Sequence, residues 1–211
     1  MTTDQRNQSE PEIKPKQRGN RRADILEAVA TMLETAPGAK ITTAKLATAV
    51  GVSEAAIYRH FASKAQIFEG LIGFAEDAIF SRIQAISASQ QTKLDKTRDV
   101  LLLVLTFFER NPGIARLMMG DPLVGEAPRL KPRVRQLFDR VETECRQLIR
   151  DEQLESMSNA LLTPSEQTTL FMHMLEGAIA RFVRSEFNAL PTEHFAAYWP
   201  VLASGMRPTA H

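Results

Sequence analysis

A chain of 211 residues, 44% apolar and 24% charged, can bury a sizeable core and has the composition of an ordinary globular protein. Its 26 basic and 25 acidic residues leave a net charge of +1, which excludes a protein that coats nucleic acid by charge alone. The single cysteine, Cys145, excludes an intramolecular disulfide or a cysteine-based metal cluster, and no run approaches the ~18 apolar residues of a membrane span.

The charge is unevenly placed. Residues 1–64 carry 10 Lys and Arg against 7 Asp and Glu, and the remainder carries 16 against 18, so the slight positive excess lies at the N-terminal end. Residues 1–19 are polar, contain Pro11, Pro15 and Gly19, and lack the apolar stretch of a secretion signal. A disordered arm and a cytoplasmic protein are expected. The arm's basic end, with Lys14, Lys16, Arg18, Arg21 and Arg22, reads either as a solvated tail or as a segment that touches DNA phosphates.

From residue 20 onward the apolar spacing is helical and no segment alternates with period two, so an all-α fold is predicted. Ile25, Val29, Met32 and Leu33 mark the face of a first helix that stops near Pro37-Gly38. Residues 43–61 hold two short helices. Thr42 or Thr43 caps the first, with Leu46, Ala47 and Val50 inward; Gly51 ends it, Ser53 caps the second, and Ile57 and Phe61 anchor that helix from one side. Ser63 and Gln66 suggest a capping box for a long helix to about Ile86, with Ile67, Leu71, Phe74, Ala78 and Ile79 on its core face.

Residues 98–110 include LLLVLTFF, apolar almost all round, as in a helix surrounded by others, and Asn111-Pro112-Gly113 stops it. A helix over 133–150 places Val134, Leu137, Phe138, Val141, Cys145, Leu148 and Ile149 on one stripe, so Cys145 reads as a buried, inert thiol. Thr163-Pro164-Ser165-Glu166 is a strong helix start, and Leu170, Phe171, Met174, Leu175, Ala178, Ile179, Phe182, Val183 and Phe187 follow on the inward side. A last helix is expected over 193–204. Its apolar stripe and that of residues 163–187 are too broad for one partner helix, so a homodimer through these two is expected, with Phe171, Leu175, Ala178 and Phe182 at the contact.

Two short helices joined by a tight glycine turn form a helix-turn-helix, whose second helix enters the major groove. The stretch ITTAKLATAVGVSEAAIYRHFASK, residues 41–64, is more specific than that arrangement alone. Its T-x-x-x-L-A-x-x-x-G-V-S spacing, Y-R-H-F ending and S-K resemble the DNA-binding domain of the TetR family. The resemblance implies an N-terminal DNA-binding domain over residues 20–64 and a C-terminal helical domain over 65–211. It makes Thr42, Thr43, Ser53, Ala55, Tyr58, His60 and Lys64 candidates for DNA contact, with Arg18 and Arg21 on the arm. Hydroxyls, a helix N-terminus and a cation are what phosphate positioning requires. Tyr58 could instead pack within the small domain, His60 could cap the turn before Ala62, and Lys64 could be solvated. A cation in the first turn opposes the helix dipole, which favours a nearby phosphate for Lys64.

The C-terminal half also carries a resemblance. RRADIL, ITTAKLA, ERNPG, RLMMG, RFVRSEF (residues 181–187), PTEHF and WP resemble the nucleoid-occlusion members of that family, from about Asn20 to the last helix, with gaps near 87–97 and 151–163. This implies a dimer that binds palindromic chromosomal DNA and, when bound, engages the division protein FtsZ. The implied partner surface is Phe74, Arg82, Leu103, Arg110 and Asn111. Thr106 stands where those members carry glycine, and Ala62 where they carry proline. The residues by themselves allow Arg82 and Arg110 to be plain surface cations near helix C-termini.

The alternative is a repressor released by a small molecule, with Phe107, Phe108, Met118, Met119, Met172 and Met174 lining a pocket or forming ordinary core. An enzyme, a cofactor or a metal is not expected: His60, His173, His194 and His211 lack ligand spacing, no phosphate loop or nucleophile elbow occurs, and His173 with Glu176 has no orienting third group.

Overall fold

The first helix, α1 (Arg21–Thr35), buries Ile25, Val29 and Leu33 and leaves its charged residues in water, as its i, i+4, i+8 spacing requires. This computed structural model describes residues 21–36, 40–120, 128–156 and 160–205, so the arm with Arg18 and the Pro37-Gly38 turn lie outside the described residues. Among the described residues the regular elements are nine α-helices, and the all-α expectation holds. None of them is long and apolar enough to cross a membrane.

α2 (Thr43–Val50) and α3 (Glu54–His60) pack on α1 through Leu46, Ala47, Ile57 and Phe61. α4 (Lys64–Ala88) then runs away from this unit. Ser63 caps it by accepting from the Gln66 N–H at 3.3 Å. The reciprocal half of the expected box is displaced by one residue: the Ala62 N–H, not that of Ser63, donates to Gln66 Oε1 at 2.8 Å. α4 buries Ile67, Phe68, Leu71, Ile72, Ala75, Ile79, Phe80 and Ile83, because α1, α5, α6 and α7 all pack on it. Phe74, placed on the core face by spacing, is 51% exposed and instead touches the edge of α5, 6.4 Å from the Phe107 ring between centroids.

α5 (Lys93–Arg110) begins ahead of the expected start at 98, because Thr92 supplies an N-cap and Lys96 turns back to donate to the Ser87 carbonyl at 2.8 Å. Asn111 ends α5, but Pro112 starts a further short helix, α6 (Pro112–Met118), where the sequence by itself marks only a stop. Proline suits a first helical position, where its missing N–H has no partner to lose. α7 (Leu130–Glu155) extends at both ends beyond the expected 133–150 and lies beside α4. Arg129 pairs with Glu69, Arg133 with Glu76 at 2.7 Å, and the Arg140 guanidinium sits 3.7 Å from the Phe80 centroid. The Glu76 carboxylate hydrogen-bonded to Arg133 raises that guanidinium's pKa. Cys145 is buried on α7, where desolvation, with neighbouring Glu144 and Glu142, pushes its thiol up to about 12.

α8 (Pro164–Arg184) starts with the predicted capping box: Thr163 accepts from the Glu166 N–H, and Glu166 accepts from the Thr163 N–H at 2.9 Å, which holds its carboxyl below the ordinary range. α9 (Phe195–Ser204) crosses back over it, with Trp199 between the Phe171 and Phe195 rings. Phe107, Phe108, Met118 and Met172 are buried, and Met119 and Met174 pack against the same core.

Candidate nucleic-acid interface

The reading head is built by three helix ends. Thr42 Oγ1 accepts from the Lys45 N–H at 3.3 Å, and Ser53 Oγ accepts from the Ala56 N–H at 3.2 Å, so both residues are N-caps of the short helices. Between them Gly51 takes φ 73°, ψ 39°, a left-handed conformation that a side chain resists. This lets the Val52 N–H reach back to the Ala47 carbonyl at 2.9 Å and close α2. Ile57 and Phe61 lock α3 from below, which turns the rest of that helix outward.

On that outward side the structure gathers most of the expected contacts. Ala55, Tyr58 and His60 are exposed, and the Tyr58 side chain does not pack in the core: it is 50% exposed, with its hydroxyl 3.3 Å from Thr43 Oγ1. Two hydroxyls from different helices thus share one spot, and each can turn a proton toward an anion. Lys64 opens α4 with its ammonium 5.4 Å from the Phe68 ring centroid, and it lines a small cleft with Thr42 and Thr43. A cation, two hydroxyls and the first turn of α2 therefore converge. Such a set has the chemistry that favours phosphate, and Glu54 and Ala55 lie exposed on α3 beside it.

Arg21 carries an ion pair to Asp24 at 3.5 Å on the α1 surface. Arg22, in the sequence one of several basic residues at the end of the arm, holds the unit together: its guanidinium lies 4.2 Å from the Phe61 centroid and donates to the His60 carbonyl at 3.3 Å. Its tie to Phe61 cannot be read from local spacing, since 39 positions separate the two.

The second expected surface lies on α4 and α5. Phe74, Ala78 and Arg82 follow one line along α4; Leu103, Phe107 and Arg110 follow one along α5. Phe74, Arg82 and Arg110 are exposed, Leu103 is half-buried, and Asn111 spends its side-chain N–H on the Phe107 carbonyl at 2.7 Å. Leu102 is exposed and Thr106 half-buried beside them, which adds apolar area that the motifs alone do not assign. Aligned helix faces with an apolar middle and cations at both ends can receive an acidic, partly apolar peptide.

The expected dimer residues divide differently. Phe171, Leu175 and Phe182 are buried in their own protomer's core, at 0%, 0% and 1% exposure, and only Ala178 reaches the surface. The outward side of α8 is carried by Leu170, Met174, Gly177, Ala178 and Arg181, next to exposed Tyr198 and Val201 of α9. The helical spacing is shared by both sides of α8, and α5 and α7 claim the residues that spacing offers to a partner.

A three-helix unit presenting a capped second helix to solvent, on an all-helical body, defines a DNA-binding regulator of the helix-turn-helix class. Comparison with known proteins narrows this. The profile described as bacterial regulatory proteins, tetR family, matches residues 25–71, and the SlmA-like profile described as tetracyclin repressor-like, C-terminal domain, matches residues 90–207. The nucleoid occlusion factor SlmA of Idiomarina loihiensis is 48% identical over 186 residues, 88% of this chain and 95% of that protein. Its namesake from Shewanella loihica is 50% identical over 180 residues, 85% and 91% of the two chains, and that of Vibrio vulnificus is 48% identical over 191, 90% and 97%. The chain belongs to the SlmA family of TetR-type DNA-binding regulators, and not to a family of enzymes. The fold is shared more widely: the MbdR regulator of Azoarcus superimposes with a TM-score of 0.74 at 18% identity, covering 88% of this chain and 98% of its own. The transcriptional regulator FadR of Bacillus subtilis superimposes at 0.69 and 13%, covering 87% and 98%.

Proposed function

We propose that this chain is a nucleoid occlusion factor: a homodimer that binds palindromic chromosomal DNA and, while bound, engages FtsZ and prevents septum assembly over the nucleoid. The observation that carries the reading is the near-full-length likeness to proteins named for nucleoid occlusion, which continues through α5 to α9. Regulators that share only the fold have 13–21% identity over the same span, so a common architecture does not account for it.

The geometry supports each part. Thr43, Tyr58 and Lys64 form the phosphate-facing set, and Tyr58 and His60 flank the base-reading side of α3. The outward side of α8, with Tyr198 and Val201, forms the surface between two copies, and a dimer places two recognition helices about one helical turn, roughly 34–36 Å, apart. The acidic C-terminal tail of FtsZ lies along the α4–α5 face, its apolar residues against Phe74, Leu102 and Leu103 and its carboxylates toward Arg82 and Arg110. Thr106 in place of glycine narrows the middle of this groove. The protein acts at the nucleoid, in the cytoplasm.

The test uses labelled operator DNA and labelled tail peptide on the same protein, read by fluorescence anisotropy. Arg82→Glu leaves operator affinity and dimerisation within a factor of about two, since an exposed substitution changes stability by within about 0.5 kcal/mol. Peptide binding falls by more than about tenfold, because an attraction becomes a repulsion. Loss of both activities together makes Arg82 structural. No saturable peptide binding by the wild-type chain on operator DNA overturns the division-control reading.

A further inference from the structure

Arg116, on α6, is a charged side chain with 6% of its surface exposed, which neither the DNA-facing set nor the partner face uses. Burying a guanidinium is costly unless its N–H groups find acceptors. Here Nη1 donates to the carbonyls of Leu33 and Glu34, the latter at 3.2 Å. These belong to the last turn of α1, where a helix leaves carbonyls without intrahelical partners. The planar group also lies 4.5 Å from the centroid of the Phe187 ring, just past the end of α8. Phe187 in turn meets Phe182 of α8 at 5.0 Å.

The backbone beneath that ring is unusual. Glu186 and Phe187 have φ of 52° and 66°, and among the described residues they alone, glycine aside, have positive φ. Bulky residues resist this conformation, so the surroundings must hold it. The Phe187 N–H donates to the Phe182 carbonyl at 2.8 Å, and Asn188 Nδ2 donates to the Ser185 carbonyl at 2.8 Å. The effect is to fold Phe187 back under Arg116.

These contacts complete a two-point mounting of the DNA-reading unit. The first point is the covalent passage into α4, beside which Arg22 ties the start of α1 to Phe61 and His60 at the end of α3. At the other end of α1, about 16 Å away at 1.5 Å per residue, Arg116 holds Leu33 and Glu34. Between them α6 lies backbone to backbone on α1: a Cβ at Gly113 would stand 1.9 Å from the Ala30 carbonyl oxygen. A unit held only at the α4 junction could rotate about it; a second anchor at the far end removes that freedom.

We infer that Arg116 is a specificity-determining positioning residue, which fixes the angle between the recognition helix α3 and α8 and thereby the half-site spacing that a dimer accepts. The inference rests on the dimeric, palindrome-binding reading above. One base pair added between half-sites moves them about 3.4 Å apart and turns them by about 35°, so a rigid mounting rejects it and a loose one follows it.

The probes are a palindrome selected from random DNA by the wild-type chain, and the same half-sites with one base pair inserted or removed at the centre. Two variants are used, each checked by circular dichroism. Arg116→Lys keeps the charge but loses the planar stack, and Phe187→Leu keeps apolar bulk but loses the ring. The wild-type preference for native spacing, about tenfold or more, falls to within about threefold in both, while affinity for unselected DNA and its salt dependence stay unchanged. A merely structural role lowers binding to all probes by one common factor and leaves the spacing ratio intact. That result in a folded variant overturns the proposal, and Phe187→Leu alone decides if Arg116→Lys does not fold. A wild-type chain that binds all spacings equally overturns the palindrome reading, and this inference with it.

Discussion

Thr42 and Tyr58 look equivalent in the sequence, as two hydroxyls beside DNA, but their positions differ in kind. Thr42 caps α2, so Thr42→Ala removes a contact and also costs about 0.5–2 kcal/mol of stability. The motif alone predicts that this variant weakens DNA binding without unfolding the protein; the cap couples the two effects. Tyr58 caps no helix and meets the Thr43 hydroxyl across an exposed surface, which makes it the cleaner probe. Tyr58→Phe keeps the ring and the midpoint of thermal unfolding, and weakens operator binding several-fold in a titration. Thr42→Ser retains the cap and most of both properties. Unchanged DNA affinity in Tyr58→Phe removes its hydroxyl from the interface. The caps and turn that shape the proposed DNA-facing set are legible in the sequence because their chemistry is local: Thr42, Gly51, Ser53 and Ser63 each act within three or four residues. The roles of Arg22 and Arg116 are not legible, because their partners lie 39 and 71 or more positions away and only the packed fold supplies them.

Among the elements, α8 shows most directly what periodicity can and cannot say. Its start is readable to the residue, since Thr163, Pro164 and Glu166 are a complete capping signal. Its apolar residues wrap more than half the cylinder, and spacing alone does not say which of two sides meets its own chain. The structure assigns Phe171, Leu175, Ile179 and Phe182 inward, so the dimer surface proposed here is the strip through Leu170, Met174 and Ala178. Ala178→Glu then yields folded monomers by multi-angle light scattering, whereas Phe171→Ala destabilises each protomer by about 3–5 kcal/mol. A dimeric Ala178→Glu at micromolar concentration moves the interface elsewhere. α6 escapes the sequence pattern for the opposite reason: seven residues are too few for a periodic signal, and Asn-Pro-Gly is a common way to end a helix. The spacing of Phe74 from Leu71 and Ala78 draws it to the core face, although α4 rotates it to the edge of α5.

For the whole molecule, the arrangement sets a DNA-reading unit at one end of α4 and an exposed peptide-sized face along the middle of the same helix. Arg129 at the N-cap of α7, with Arg133 and Arg140 on it, ties that helix to α4, the stacked Arg140 contact contributing about 0.5–1 kcal/mol. The two surfaces share α4, and in the proposed reading a dimer seated on DNA presents two such faces. The proposed division control requires both at once: in that reading DNA decides where the protein acts, and the α4–α5 face decides on what. The most direct measurement is assembly of purified FtsZ with GTP, followed by right-angle light scattering and sedimentation, in the presence of this protein with selected operator DNA or with unselected DNA of equal length. The account predicts reduced polymer with operator-bound protein, a weaker effect with unselected DNA, and loss of the effect in Arg82→Glu. Polymer mass and turnover unchanged by saturating operator-bound wild-type protein would contradict it.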